Sequence, residues 1–135
     1  MANGTIAFDT LSTSGQISGT AKSVDTDYLA YGSAKSWINF NGTGTIAARD
    51  SFNSASLTDH GTSDYTHTIT TAMSNANFSA HATGDVGTVG DFAVACTYDS
   101  TRARTTTTIS IRIGTTGGAS ADTDVASITI NGDSA

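Results

Sequence analysis

The chain has 135 residues, with 6 basic side chains against 12 acidic ones and a formal net charge of −6. That balance lacks the cationic footprint a nucleic-acid partner requires, and it disfavours an anionic membrane surface. No apolar run is long enough to span a bilayer as a helix, and the opening MANGTIAFDT has neither the charged start nor the apolar run of a signal peptide.

The length suits one domain, or one domain with an arm. The composition points to β structure: 25 Thr, 17 Ser and 14 Gly, no Pro, and Asp as the acid at every acidic position. Threonine is β-branched and fits a pleated surface, whereas Glu, a good helix former, is missing. Low apolar content alone would also describe a disordered chain, but the apolar residues fall in ordered alternation, which disorder does not require.

In chain order, residues 4–8 (GTIAF) read as a strand able to pair along a neighbour, and 10–20 as an extended polar connection. Residues 21–24 and 27–31 form a weak apolar pair. Residues 34–40 (AKSWINF) make a stronger strand, Asn41-Gly42 a turn, and 45–52 the returning strand of a hairpin. Residues 55–58 form a short strand before a turn at Asp59-His60-Gly61. Residues 64–70 alternate cleanly, with Tyr65, His67 and Ile69 on one face. A corner at 71–76 leads to a strand at 78–82. Residues 91–98 (DFAVACTY) read as a central strand carrying a buried Cys96, which has no second cysteine to pair with. Residues 105–113 place Ile109, Ile111 and Ile113 on one face. A Gly-rich loop at 114–121 precedes a last strand at 124–130, with Ile128 and Ile130 in step and Val125 out of step.

No segment has convincing helical periodicity. The expected fold is therefore all-β: an antiparallel β-sandwich or jelly-roll-like domain over 34–135, preceded by an extended N-terminal arm or added strands over 1–33.

Tests for chemistry find each motif short of a partner. His60, His67 and His81 lack the spacing of a zinc site and read as surface or packing residues. Asp122 and Asp124 resemble the start of a calcium loop without its glycine or terminal Glu. Gly42 and Gly44 are not followed by the lysine and helix of a phosphate loop. Glycoside hydrolysis needs two apposed carboxylates with aromatics to hold the sugar, and the chain has one Trp and no Glu. The expectation is a protein that is not an enzyme and needs no cofactor or metal. Candidate interface or binding residues are Trp37, Phe40, Tyr65, Arg102, Arg104 and Arg112. Trp37, Tyr65 and Tyr98 could form a sugar-binding platform. The three arginines fall at even spacings and are expected to project from one side of a sheet, either to a solvated face or to aspartates of a neighbouring subunit.

The stretch Ala34-Lys-Ser-Trp-Ile-Asn-Phe-Asn-Gly-Thr-Gly-Thr45 resembles a segment of structural proteins of marine and freshwater bacteriophages, mostly called tail fibres or left without a name. The likeness continues through Arg49-Asp-Ser-Phe-Asn53, Leu57-Thr-Asp59, Gly61-Thr62, Asp64-Tyr-Thr66 and Thr70-Thr-Ala-Met73. It departs at Ser74, where the family carries a proline. An arginine-bearing strand, a Gly-rich loop, Asp122 or Asp124 and a last strand ending at Gly132 complete the pattern over about residues 32–132. The resemblance implies a phage virion protein with an all-β fold and a trimeric assembly, and it brings no catalytic residues.

Two roles follow from it. As a capsid decoration or cement protein, the chain would bind its own copies and the major capsid protein. As a tail-fibre or receptor-binding module, it would engage host surface glycans. The sequence has no heptad shaft, collagen-like tract or long linker of the kind a fibre uses to reach outwards, which favours decoration.

Overall fold

A computed structural model describes residues 16–18, 23–85, 93–97, 102–115 and 117–134. Within them, two four-stranded antiparallel sheets face each other as a β-sandwich. The elements are β1 (Gln16–Ser18), β2 (Ser23–Asp25), α1 (Thr26–Gly32), β3 (Ala34–Asn41), β4 (Ala47–Phe52), β5 (Ser54–Asp59), β6 (Asp64–Ile69), β7 (Ser79–Asp85), β8 (Ala93–Thr97), β9 (Thr108–Thr115) and β10 (Val125–Asn131). One sheet has the order β4-β3-β10-β7 and the other β5-β6-β9-β8.

The alternation in the sequence determines what goes inside. Ile38 and Phe40 of β3 and Ala126, Ile128 and Ile130 of β10 project from one sheet. Tyr65 and Ile69 of β6 and Ile109, Ile111 and Ile113 of β9 meet them from the other. All ten are at most 2% exposed, so each contributes its full transfer free energy, on the order of 1.5–3 kcal/mol for the larger side chains. Phe40 and Tyr65 meet edge to face, with ring centroids 5.1 Å apart. Met73 and Phe78 close one end of the core.

Hairpins stay within a sheet, and the chain changes sheet between them. The β3–β4 hairpin turns at Gly42-Thr43-Gly44, where Gly44 has φ 61°. Gly42 must be glycine for a different reason: a Cβ there would lie 2.6 Å from the Tyr65 hydroxyl. Between β4 and β5 a single residue, Asn53, carries the chain from the first sheet to the second.

Three expectations are corrected. Residues 27–31 lie in the helix α1 rather than in a strand-like pair. Asp27 in its first turn favours the helix N-terminus, and Ser33 Oγ donates to the Leu29 carbonyl at 2.7 Å, filling an acceptor that the end of the helix leaves open. The connection at 10–20 contributes β1, which pairs with β2 in a separate two-stranded sheet. The strand within 91–98 is an edge strand, not a central one. Among the described residues β8 pairs only with β9, and it packs beside β7, the edge of the other sheet. A run of apolar residues does not report the number of paired neighbours. Residues 4–8 and the side chain of Cys96 lie outside the described set.

Candidate functional site

A surface concavity with a volume of about 580 Å³ sits at the β4–β5 corner. Its floor is Asn53, in the left-handed region at φ 53°, which Asn tolerates better than most residues. Four strands' ends are tied there. The Asn53 Oδ1 accepts from the Thr71 amide at 2.7 Å. Its Nδ2 donates to the carbonyls of Lys35 at 2.9 Å and Thr71 at 3.3 Å. Its own carbonyl accepts from Ser36 Oγ at 3.2 Å and from the Thr70 amide at 3.3 Å. The walls carry Lys35, Ser51, Phe52, Ser54, Thr70 and Thr71. Lys35 Nζ donates to Ser33 Oγ at 2.9 Å on the rim.

Phe52 is 54% exposed. Register places it opposite Trp37, and Trp37 opposite Thr129, which faces His81 on β7. This row crosses the outer face of the first sheet. The next row runs Asp50, Asn39, Ser127 and Thr83, with Asn39 Nδ2 donating to Ser127 Oγ at 2.8 Å. A second exposed apolar surface lies on α1, where Tyr28 is 79%, Leu29 48% and Tyr31 53% exposed.

The structure separates the residues expected to act together. Trp37 is half-buried on the outer face, while Phe40 and Tyr65 are wholly inside the sandwich. Both are candidate interface or binding residues by sequence, and the structure places both in the core. Strand parity is the reason: Phe40 is three residues from Trp37 and so faces the opposite way. A Trp37–Tyr65 sugar platform is excluded on the same ground, and Tyr98 lies outside the described residues.

The Tyr65 hydroxyl lies 2.9 Å from the Gly42 carbonyl and 3.0 Å from Asp122 Oδ1. Burial, and then the Asp122 carboxylate, push its pKa well above the usual phenol range.

The arginines do not form one row. Arg102 and Arg104 precede β9, and Arg112 alone lies on it, exposed and opposite Asp64. Arg102 Nη1 contacts both oxygens of Asp64, at 2.8 and 2.9 Å, so its aspartate partner is within the chain. Arg104 donates to the Phe78 carbonyl at 2.7 Å and stacks 4.8 Å from that ring's centroid.

The polar candidates are engaged locally. His60 Nε2 meets Thr66 Oγ1 at 2.9 Å, and His81 Nε2 meets Ser79 Oγ at 3.3 Å. His67 is buried beside Ser54 Oγ at 3.1 Å, with Nδ1 unpartnered, and burial lowers its pKa to about 4. Asp122 accepts from the Ser63 amide, and Asp124 from Thr43 Oγ1, both at 2.8 Å. No group of three or more His, Cys, Asp or Glu side chains among the described residues is placed to hold a metal ion.

Sequence reasoning missed Asn53, Phe52 and the α1 aromatics. An Asn set between two strand-like runs is a signal for a left-handed corner. The exposure of Phe52 had no local signal, because it depends on the edge position of β4. Compared with protein-family models, curated proteins and solved structures, the chain finds no match.

Proposed function

We propose that the protein is a non-enzymatic structural component of a bacteriophage virion surface, a capsid decoration protein that assembles as a homotrimer and binds the major capsid protein. The phage setting rests on the likeness of residues 34–73 to virion proteins. The observation that carries a binding role is α1, where Tyr28, Leu29 and Tyr31 present large apolar side chains to solvent within seven residues. Such surface is stabilised by burial against a partner. The helix follows a hairpin that forms its own small sheet, so this segment is suited to lie across a neighbouring copy or the shell.

Quantitative mass spectrometry of purified virions tests the reading. Copies in proportion to the major capsid protein support decoration, and a handful per particle overturns it. The second reading, a tail-fibre module that engages host surface glycans, is favoured by the exposed Phe52 beside Trp37.

A further inference from the structure

We propose that the groove at the Asn53 corner is a saccharide-binding site that selects a sugar bearing a carboxylate. The site deepens the glycan-engaging reading and is independent of decoration.

Sugars present two chemistries at once: a patch of C–H groups on one ring face and a fringe of hydroxyls. The groove offers a match for each. Phe52 supplies an aromatic ring, more than half exposed, on the wall of the concavity. A ring of this size held open to solvent is a stacking surface for an apolar face. Around it, Ser51, Thr70 and Thr71 are exposed and carry hydroxyls that both donate and accept. A volume of about 580 Å³ falls within the range of small-ligand sites.

The charge pattern narrows the ligand. Lys35 is the charged side chain lining the groove, and no Asp among the described residues lines it, although the whole chain carries −6. The ammonium has donors left after its bond to Ser33 Oγ. A ligand carboxylate therefore meets a cation on the wall of the groove, with no carboxylate among the described lining side chains.

The groove is also cross-tied by hydrogen bonds within the chain. Asn53 fixes β3, the β4–β5 corner and the 70–71 segment through its side-chain and backbone hydrogen bonds. Pre-organisation lowers the ordering cost of binding.

The test uses the full chain on an array of bacterial surface oligosaccharides that includes uronic- and sialic-acid-containing members beside neutral ones. Binding to acidic members is expected. Phe52→Ala should weaken it about tenfold, and Phe52→Trp should retain it. Lys35→Met should erase the preference for acidic over neutral members. Because Phe52 and Lys35 lie outside the core, circular dichroism should show these variants folded. Amide shifts on titration with the best array member should cluster at residues 33–35, 51–54 and 70–71. No binding to any member, binding unchanged in Phe52→Ala, or binding to neutral members alone overturns the proposal. None of these outcomes alters the copy number, so the groove and the decoration role fail separately.

Discussion

Asn53 and Thr71 are joined by a reciprocal pair of hydrogen bonds: the Thr71 amide donates to Asn53 Oδ1 at 2.7 Å, and Asn53 Nδ2 donates back to the Thr71 carbonyl at 3.3 Å. The pair holds the end of β6 against the corner where the chain passes from one sheet to the other. It also joins the floor of the groove to its wall.

Asn53→Ala should destabilise the fold by about 2–3 kcal/mol, combining lost hydrogen bonds with the cost of a Cβ-bearing residue in the left-handed region. Asn53→Gly loses the same side-chain bonds but accepts the backbone conformation, and should cost about 1 kcal/mol less. Urea titrations of the two variants measure the gap. Equal midpoints would show that the backbone conformation carries no cost.

His67 makes stability depend on mild acid. The fold prefers neutral imidazole, with the pKa lowered from 6.5 to about 4 by burial. As pH falls through 6.5 the unfolded chain takes up a proton that the folded chain refuses until about pH 4. The contribution is therefore complete above pH 6.5 and is lost toward pH 4, by about 3 kcal/mol. His67→Leu should flatten this part of the stability profile. An unchanged slope between pH 6.5 and 4 in that variant would falsify the assignment.

Tyr65 acts at the alkaline end. Its raised pKa means that above about pH 10 the unfolded chain loses a proton that the folded chain keeps, so stability falls as pH rises. Tyr65→Phe should remove that decline. It should also cost about 1–2 kcal/mol at neutral pH, because the Gly42 carbonyl and Asp122 lose the one O–H donor they share. Gly42→Ala attacks the same contact from the other side, and overpacking should cost about 1–3 kcal/mol. Thermal unfolding across a pH series measures all three effects.

Arg102→Ala should cost about 1–3 kcal/mol, since the side chain of Asp64 is only 9% exposed and would lose its charged partner. Arg112→Ala, on the exposed side of β9, should cost less. Chemical denaturation of the two variants side by side orders them. The reverse order would mean that the Arg102–Asp64 pair is not a stabilising contact.

Alternation along the chain was enough to place the inward faces of the core strands. Ile109, Ile111 and Ile113, Ile128 and Ile130, and Tyr65, His67 and Ile69 each repeat with period two, and each set is buried. That pattern is local, because a pleated strand sends alternate side chains to opposite faces whatever its neighbours are. The same rule sets Phe40 and Ile38 inward and Trp37 outward. Only the tertiary structure decided which strands lie at the edges, that Asp64 receives Arg102 from 38 residues away, and that Phe52 and the α1 aromatics stay exposed. These depend on which distant segments pack together. Strand order and long-range ion pairing are set by the sum of contacts between sheets, and no window of consecutive residues contains that sum.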